Sequence, residues 1–338
     1  MIIIVTHEHG GFDKYSQEIA KRVKAKPFHS KRYFNEGTLP EFLERLSRCD
    51  DVVHITNQNF ARFAGVLKHP FIITVHDLIR NFYDFDGESP AEQMWLKLDE
   101  HFIKRARAII AVSEFTKSEL ISRLGVPEER ITVVHNGLDV ATLNPSGPSF
   151  HSRYILAVGS ERPRKNLKRL VEALSLVRRK HPDLFLVKVG EVGRDPIFAH
   201  SWRESAKQFG VPVDLVGKVS EEDLACWYRG AVMLTFPSLM EGFGMPPTEA
   251  MACGCPVVVS DIPASHEIVG EAGIYVNPES VESIAEGVEQ MLLERERFIP
   301  LGLRRAKLFS WNEAARRVQE VYNKVEDDLS RKTRADYA

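Results

Sequence analysis

The sequence predicts an α/β protein built from two doubly wound parallel-sheet domains. Short apolar, β-branched runs alternate with amphipathic segments along the chain, which is the pattern of parallel crossovers. Its 338 residues exceed one ordinary core and suit two domains. Near the middle, Leu143, Asn144, Pro145, Ser146, Gly147, Pro148 and Ser149 form a polar Pro/Gly stretch that can continue neither a strand nor a helix. The boundary is placed there, giving domains at 1–148 and 149–309.

In order, the expected strands of the first half are residues 2–5, 52–55, 71–75, 108–112 and 131–134. Helices between them have readable starts: Thr38 with Glu41 and Ser89 with Glu92 have capping-box spacing, and Pro90 suits a first helical position. The second half restarts with strands at 154–158, 184–189, 213–216, 232–236, 257–260 and 274–276. Two such domains facing each other would leave a cleft between their strand ends. A last amphipathic segment begins at Trp311, with Val318, Val321, Tyr322 and Val325 at helical spacing.

Composition excludes several classes. With 45 basic and 47 acidic residues the chain is no general polyanion binder, and no nucleic-acid partner is expected. Cys49, Cys226, Cys253 and Cys255 have neither disulfide-framework nor metal-site spacing, which suits reduced thiols in the cytoplasm. The N-terminus enters a core-like run directly, and no segment is apolar enough to span a membrane, so neither a signal peptide nor a membrane helix is expected. Seven basic residues (Lys14, Lys21, Arg22, Lys24, Lys26, Lys31 and Arg32) face one acid, Glu18, between positions 14 and 32. Either a solvated face or peripheral contact with an anionic inner-membrane surface would account for them.

Chemistry concentrates at strand ends. Residues 232–236 read as a buried strand, followed by a loop carrying Glu241, Gly242, Phe243, Gly244 and Met245. Pro246 and Pro247 suit the first turn of a helix that stops near Gly254, and Glu249 lies within it. Ligands of parallel sheets sit beyond the carboxyl ends of the strands, so both carboxylates can face one crevice. Dipole and capping effects account for Glu249 but leave Glu241 and its glycines unexplained. After strand 154–158 come Gly159, Ser160, Glu161, Arg162, Pro163, Arg164, Lys165 and Asn166. Cations crowded at a helix N-terminus oppose its dipole unless an anion lies among them, which points to a diphosphate; a continuous basic surface through Lys168 and Arg169 is the alternative.

In the first half, Gly10 and Gly11 follow the first strand, where backbone N–H groups could approach a phosphate or simply make a tight turn. The pattern is not GxGxxG, which disfavours a nicotinamide site. His76 and Asp77 end the strand at 71–75: the imidazole can serve sugar hydroxyls, with Asp77 orienting it, or merely satisfy a carbonyl. Asp84 and Asp86 spell DxD, but in a loop of the wrong half, so no metal is expected.

Together these residues resemble the GT-B glycosyltransferases, specifically the large retaining family four that includes many mannosyltransferases. The specific signature is the pair Glu241 and Glu249, separated by Gly242, Phe243, Gly244, Met245, Pro246, Pro247 and Thr248. Gly10 and Gly11, His76 and Asp77, His135 to Asp139, and Pro163 to Asn166 follow in the family's order. Where many members carry an arginine after the glycine of the 159 turn, this chain has Ser160, so the cationic role passes to Arg164 and Lys165, with Arg162 a further candidate. The resemblance implies a GT-B fold of two Rossmann-like domains, an acceptor domain first and a nucleotide-sugar domain second, with a helix at 310–330 crossing back to the first.

It further implies that Glu241 and the backbone around Gly242, Phe243, Gly244 and Met245 hold the donor sugar, and that Glu249 binds the ribose. Arg164 and Lys165, with the Gly159 turn and the Gly10–Gly11 backbone, would take the diphosphate, while His76 sits beside the reacting sugar. The catalytic set is then Glu241, His76, Arg164 and Lys165. No cofactor is implied beyond the donor substrate, GDP-mannose first and a UDP-sugar next; the acceptor would be a glycan or a lipid-linked glycan. No residue is an evident nucleophile, so metal-independent front-face retention is the expected route. The competing functions are a sugar-nucleotide epimerase, a phosphorylase, or a non-catalytic sugar-nucleotide-binding protein.

Overall fold

The computed structural model describes residues 1–6, 11–31, 38–83, 87–150, 153–193 and 196–336. Its residues group into two compact units. One comprises Met1–Phe82, Glu88–Gly137 and Ser310–Ala338; the other comprises Tyr83–Gly87 and Leu138–Phe309. The division thus precedes the Pro/Gly stretch instead of falling within it.

The first unit holds β1 (Ile2–Thr6), β2 (Lys26–Ser30), β3 (Val53–Ile55), β4 (Phe71–Val75), β5 (Ala108–Ala111) and β6 (Ile131–Val133). They form one parallel sheet in the order β2-β1-β3-β4-β5-β6. Successive side chains point to opposite faces, and both faces are buried. Ile4, Ile73 and Ile109 pack on one side with Phe42, Phe60 and Leu120. Ile3, Val5, Ile72 and Ile110 face the other, against Trp311, Val318 and Tyr322 of the helix Trp311–Asp336. β2 escaped the sequence reading because it is a largely exposed edge strand, Lys-Pro-Phe-His-Ser, with no apolar run. The Ser89 capping box with Glu92 forms, with Pro90 in the first turn.

The second unit holds β7 (Tyr154–Val158), β8 (Phe185–Val189), β9 (Val213–Gly217), β10 (Met233–Phe236), β11 (Val257–Ser260) and β12 (Gly273–Val276). Their order is β12-β11-β10-β7-β8-β9, parallel throughout. The chain winds outward from β7 through β8 and β9, then returns to place β10 on the other side of β7. The switch point thus lies between β7 and β10, and doubly wound sheets bind ligands beyond the carboxyl ends of the strands at such a point.

Candidate active site

Two loops leave the sheet of the second unit at that switch point. The turn after β7 starts at Gly159 (φ 131°) and closes with a short helical turn, Pro163–Lys165. The loop after β10 runs from Pro237 to the helix Met245–Ala252. Backbone and side-chain bonds stitch them together. Leu239 N donates to the Arg164 carbonyl at 2.8 Å, and Arg164 Nη1 donates to the Met240 carbonyl at 3.2 Å. Buried Asn166, at φ 59°, donates from Nδ2 to the carbonyls of Pro237 (3.0 Å) and Pro278 (2.6 Å). Asparagine tolerates the left-handed region, and its short amide reaches two loops from there.

This stitching places Glu241 between two cations. Arg164 Nη1 lies 2.8 Å from Glu241 Oε2 and Lys165 Nζ lies 2.5 Å from Oε1. Burial pushes the Glu241 carboxyl up, but Arg164 and Lys165 outweigh it and hold the group at about 2. Burial brings Lys165 down to about 8, against the opposing pull of Glu241. Lys165 also stands 4.5 Å over the Phe236 ring, so its ammonium has an aromatic wall. Cations crowded at this turn point to a bound diphosphate or to a continuous basic surface; the carboxylate of Glu241 supplies Arg164 and Lys165 with an anion from within the chain.

Three residues on, Gly244 takes φ 104°, a conformation that suits glycine, and turns the chain into the helix Met245–Ala252, with Pro246 and Pro247 in its first turn. Glu249 is buried on this helix, and the Tyr228 hydroxyl donates to its Oε2 at 2.9 Å. Tyr228 itself is fully buried and held well above the ordinary tyrosine value, first by burial and then by the Glu249 charge. Phe243 meets Phe309 edge-on, with ring centroids 5.7 Å apart.

Beneath the turn lies a polar network that the sequence reading did not single out. Lys188, the penultimate residue of β8 and only 2% exposed, donates to the Gly159 carbonyl at 2.6 Å and to the Val189 carbonyl at 3.2 Å. Burial lowers it to about 8. Glu161, also 2% exposed, accepts from Trp202 Nε1 at 2.8 Å and from Arg203 Nη2 at 2.6 Å. Gly190 approaches so closely that a Cβ there would stand 2.3 Å from the Gly159 oxygen. A lysine inside an apolar strand run was the available signal for Lys188; nothing local marked Tyr228.

In the first unit, His76 follows β4 and is buried. Gln58 brackets its backbone: Oε1 accepts from His76 N at 3.2 Å, and Nε2 donates to the Asp77 carbonyl at 3.1 Å. His76 Nε2 faces the Thr56 carbonyl at 3.0 Å, a contact that requires the proton on Nε2. Tyr15 meets the imidazole edge-on at 4.9 Å. Asp77 Oδ1 accepts from Ile79 N at 3.1 Å, so that carboxylate organises the following turn. Gly11 opens the helix Gly11–Ala20, while Gly10, Asp84 and Asp86 lie outside the described residues. Of the basic stretch, Lys21 and Arg22 both pair with Glu18 at 2.5 Å, and Arg32 lies outside the described residues. Among the described residues, no group of three or more His, Cys, Asp or Glu could hold a metal, and no helix is long and apolar enough to cross a membrane.

The family model described as "Glycosyltransferase Family 4" matches residues 2–142, and "Glycosyl transferases group 1" matches 152–294. The chain is similar to the O-antigen chain mannosyltransferase B of Escherichia coli, with 30% identity over 269 residues, 74% of this chain and 69% of that protein. Similarity to the O-antigen chain mannosyltransferase RfbU of Salmonella typhimurium is 32% over 230 residues, 65% of this chain and 61% of that protein, so less than two thirds of its length is matched. Among solved structures, sucrose-phosphate synthase of Thermosynechococcus elongatus superposes with a TM-score of 0.75 at 20% identity, covering 97% of this chain and all of that one. Anabaena Alr3699/HepE, solved with UDP and glucose, gives 0.77 at 18%, covering 96% and 100%. With the two doubly wound sheets, these likenesses show the expected GT-B fold.

Proposed function

The chain belongs to the family-four, group-1 glycosyltransferases, and on that premise we propose that it is a retaining hexosyltransferase moving mannose from a nucleoside-diphosphate sugar to a glycan or lipid-linked acceptor. The observation that carries the reading is the Arg164–Glu241–Lys165 cluster at the switch point between β7 and β10. Two cations on a stitched turn can take the charge that develops on a departing diphosphate, and their preorganisation removes the cost of arranging them during reaction. Glu241 keeps lone pairs beyond those engaged by the two cations, so it can also accept sugar hydroxyls. Glu249, steadied by Tyr228, is assigned the ribose diol.

The backbone of Gly159, Gly242, Phe243, Gly244 and Met245 completes the donor subsite. His76 is assigned to the reacting sugar, and Gly10 and Gly11 to the diphosphate, on the family resemblance. Glu241 bonded to two cations is a poor nucleophile, which favours front-face transfer without a covalent intermediate and without a metal. The mannosyltransferase relatives support mannose as the sugar, and GDP-mannose is the first donor proposed, a UDP-sugar the next. A cytoplasmic site of action, with peripheral attachment through Lys14, Lys24, Lys26 and their neighbours, belongs to the same proposal.

The test is a thermal-shift screen of GDP- and UDP-sugars, followed by NMR of the product made from the best-binding donor. Specific stabilisation by one donor and a product with the donor's anomeric configuration, formed equally well in EDTA, is expected. An inverted anomer, or transfer abolished by EDTA and restored by a divalent ion, would overturn the mechanism.

A further inference from the structure

At the opposite end of the second sheet lies a cavity of about 550 Å³ whose walls include Ser149, Arg153, Arg229, Val232 and Arg295. Arg153 immediately precedes β7 and Val232 immediately precedes β10, so the cavity opens at the amino ends of the same two strands whose carboxyl ends carry the candidate active site. A strand of four or five residues separates the two places by roughly 15 Å.

Three guanidinium groups therefore meet in one cavity, and guanidinium keeps its charge at every accessible pH. Arg229 spends its donors on backbone: Nε bonds the Asn144 carbonyl at 2.8 Å, Nη1 the Pro148 carbonyl at 2.8 Å and Nη2 the Thr142 carbonyl at 3.0 Å. These acceptors are neutral, so the cation is fixed in place without being cancelled. Arg295 has a buried Nε with no hydrogen-bond partner, and its ion pair is a 4.0 Å contact to Glu296, whose side chain is 86% exposed. Arg153 pairs with Asp183 at 2.7 Å, but both side chains are half exposed, and such pairs hold little energy. The Arg295 Nε is closed off from the cavity, but the Arg295 side chain as a whole is 38% exposed and lines the wall, so its charge can be answered from the cavity.

We infer that this cavity is a second anion site, separate from the donor site, that takes a phosphate-bearing small molecule. Arg295 and Arg153 grip the phosphate oxygens, and Arg229 adds fixed positive charge. Phosphate is favoured over a simple carboxylate because a dianion with three acceptor oxygens can engage several guanidinium groups at once, and the two carboxylates that pair with them, Asp183 and Glu296, are both exposed. Because Arg229 also ties down the segment carrying Thr142, Asn144 and Pro148, an anion here would stiffen that segment.

The experiment is calorimetric titration of the full chain with inorganic phosphate at fixed ionic strength, with the donor site disabled by R164A/K165A. Phosphate binding that persists in that variant and weakens about tenfold on adding Arg295→Ala or Arg153→Ala is expected. The same titration of the otherwise unaltered protein saturated with nucleoside diphosphate gives a second reading should the double variant fold poorly. Loss of all phosphate binding when the donor site is disabled or filled, or binding unchanged by both arginine substitutions, would overturn the inference. Neither result bears on the glycosyl transfer proposed above, which is read by product formation.

Discussion

Lys165 Nζ lies 2.5 Å from Glu241 Oε1, so residues 76 apart in the chain share one charge pair at the ends of two adjacent strands. Each partner explains the other's ionisation: the cations hold Glu241 at about 2, and Glu241 limits the fall of buried Lys165 to about 8.

Replacing Glu241 by Gln would leave Arg164 and Lys165 side by side without a carboxylate. Removing one partner of a buried pair typically costs about 3 kcal/mol or more. A lowered melting temperature together with loss of transfer is expected from differential scanning calorimetry and a product assay. A variant as stable as the parent would show that the pair is not what holds the two loops.

Lys165→Ala removes a cation but leaves Arg164 with Glu241, so the fold should survive. Turnover should fall by about 10²–10³-fold, the usual effect of deleting one preorganised charge at a leaving group. Steady-state kinetics with circular dichroism as the folding control decides this; unchanged turnover would remove Lys165 from the catalytic set.

The two pH limits have different origins. Glu241 titrates at about 2 when folded and near its ordinary 4.5 when unfolded, so its contribution is present above 4.5 and is lost as pH falls from there toward 2. Lys165 is depressed from 10.5 to about 8, so the unfolded chain binds more protons between those values and this group makes stability rise with pH there. Transfer should nonetheless decline above about pH 8 as Lys165 loses its charge. A pH–rate profile flat to pH 10 would contradict that role.

Tyr228→Phe deletes the 2.9 Å hydrogen bond to Glu249 while preserving the ring. If Glu249 binds the ribose, KM for the nucleotide sugar should rise about fivefold with little change in kcat, the effect of one lost hydrogen bond near 1 kcal/mol. A fall in kcat alone would place Glu249 elsewhere in the reaction.

Gly190→Ala would drive a Cβ to 2.3 Å from the Gly159 oxygen at φ 123°, a backbone region alanine avoids. Destabilisation of about 2 kcal/mol or more in urea unfolding is expected, with donor binding weakened because the Gly159 turn is displaced. Parental stability would mean the turn yields easily.

The strands of both sheets were legible wherever burial on both faces demanded continuous apolar runs, as at Val257–Ser260. β2 was not, because an edge strand with one exposed side carries no such demand. In the candidate site, Glu241, Arg164 and Lys165 stood out as charges at strand ends, and the structure brings those three together. Tyr228 lay hidden because its partner Glu249 is on a different helix, 21 residues away.

By itself the sequence determined the alternation of strands and helices, the family signature around Glu241 and Glu249, and the address of the charged turn. Those features follow from local periodicity and from residue types that only a few backbone conformations accept. Tertiary structure alone decided which carboxylate neutralises Arg164 and Lys165, that Lys188 supports the Gly159 carbonyl from below, and that Arg153, Arg229 and Arg295 meet at the far end of the sheet. Electrostatic pairing depends on distance through space, and strand order sets that distance only after the sheet has formed.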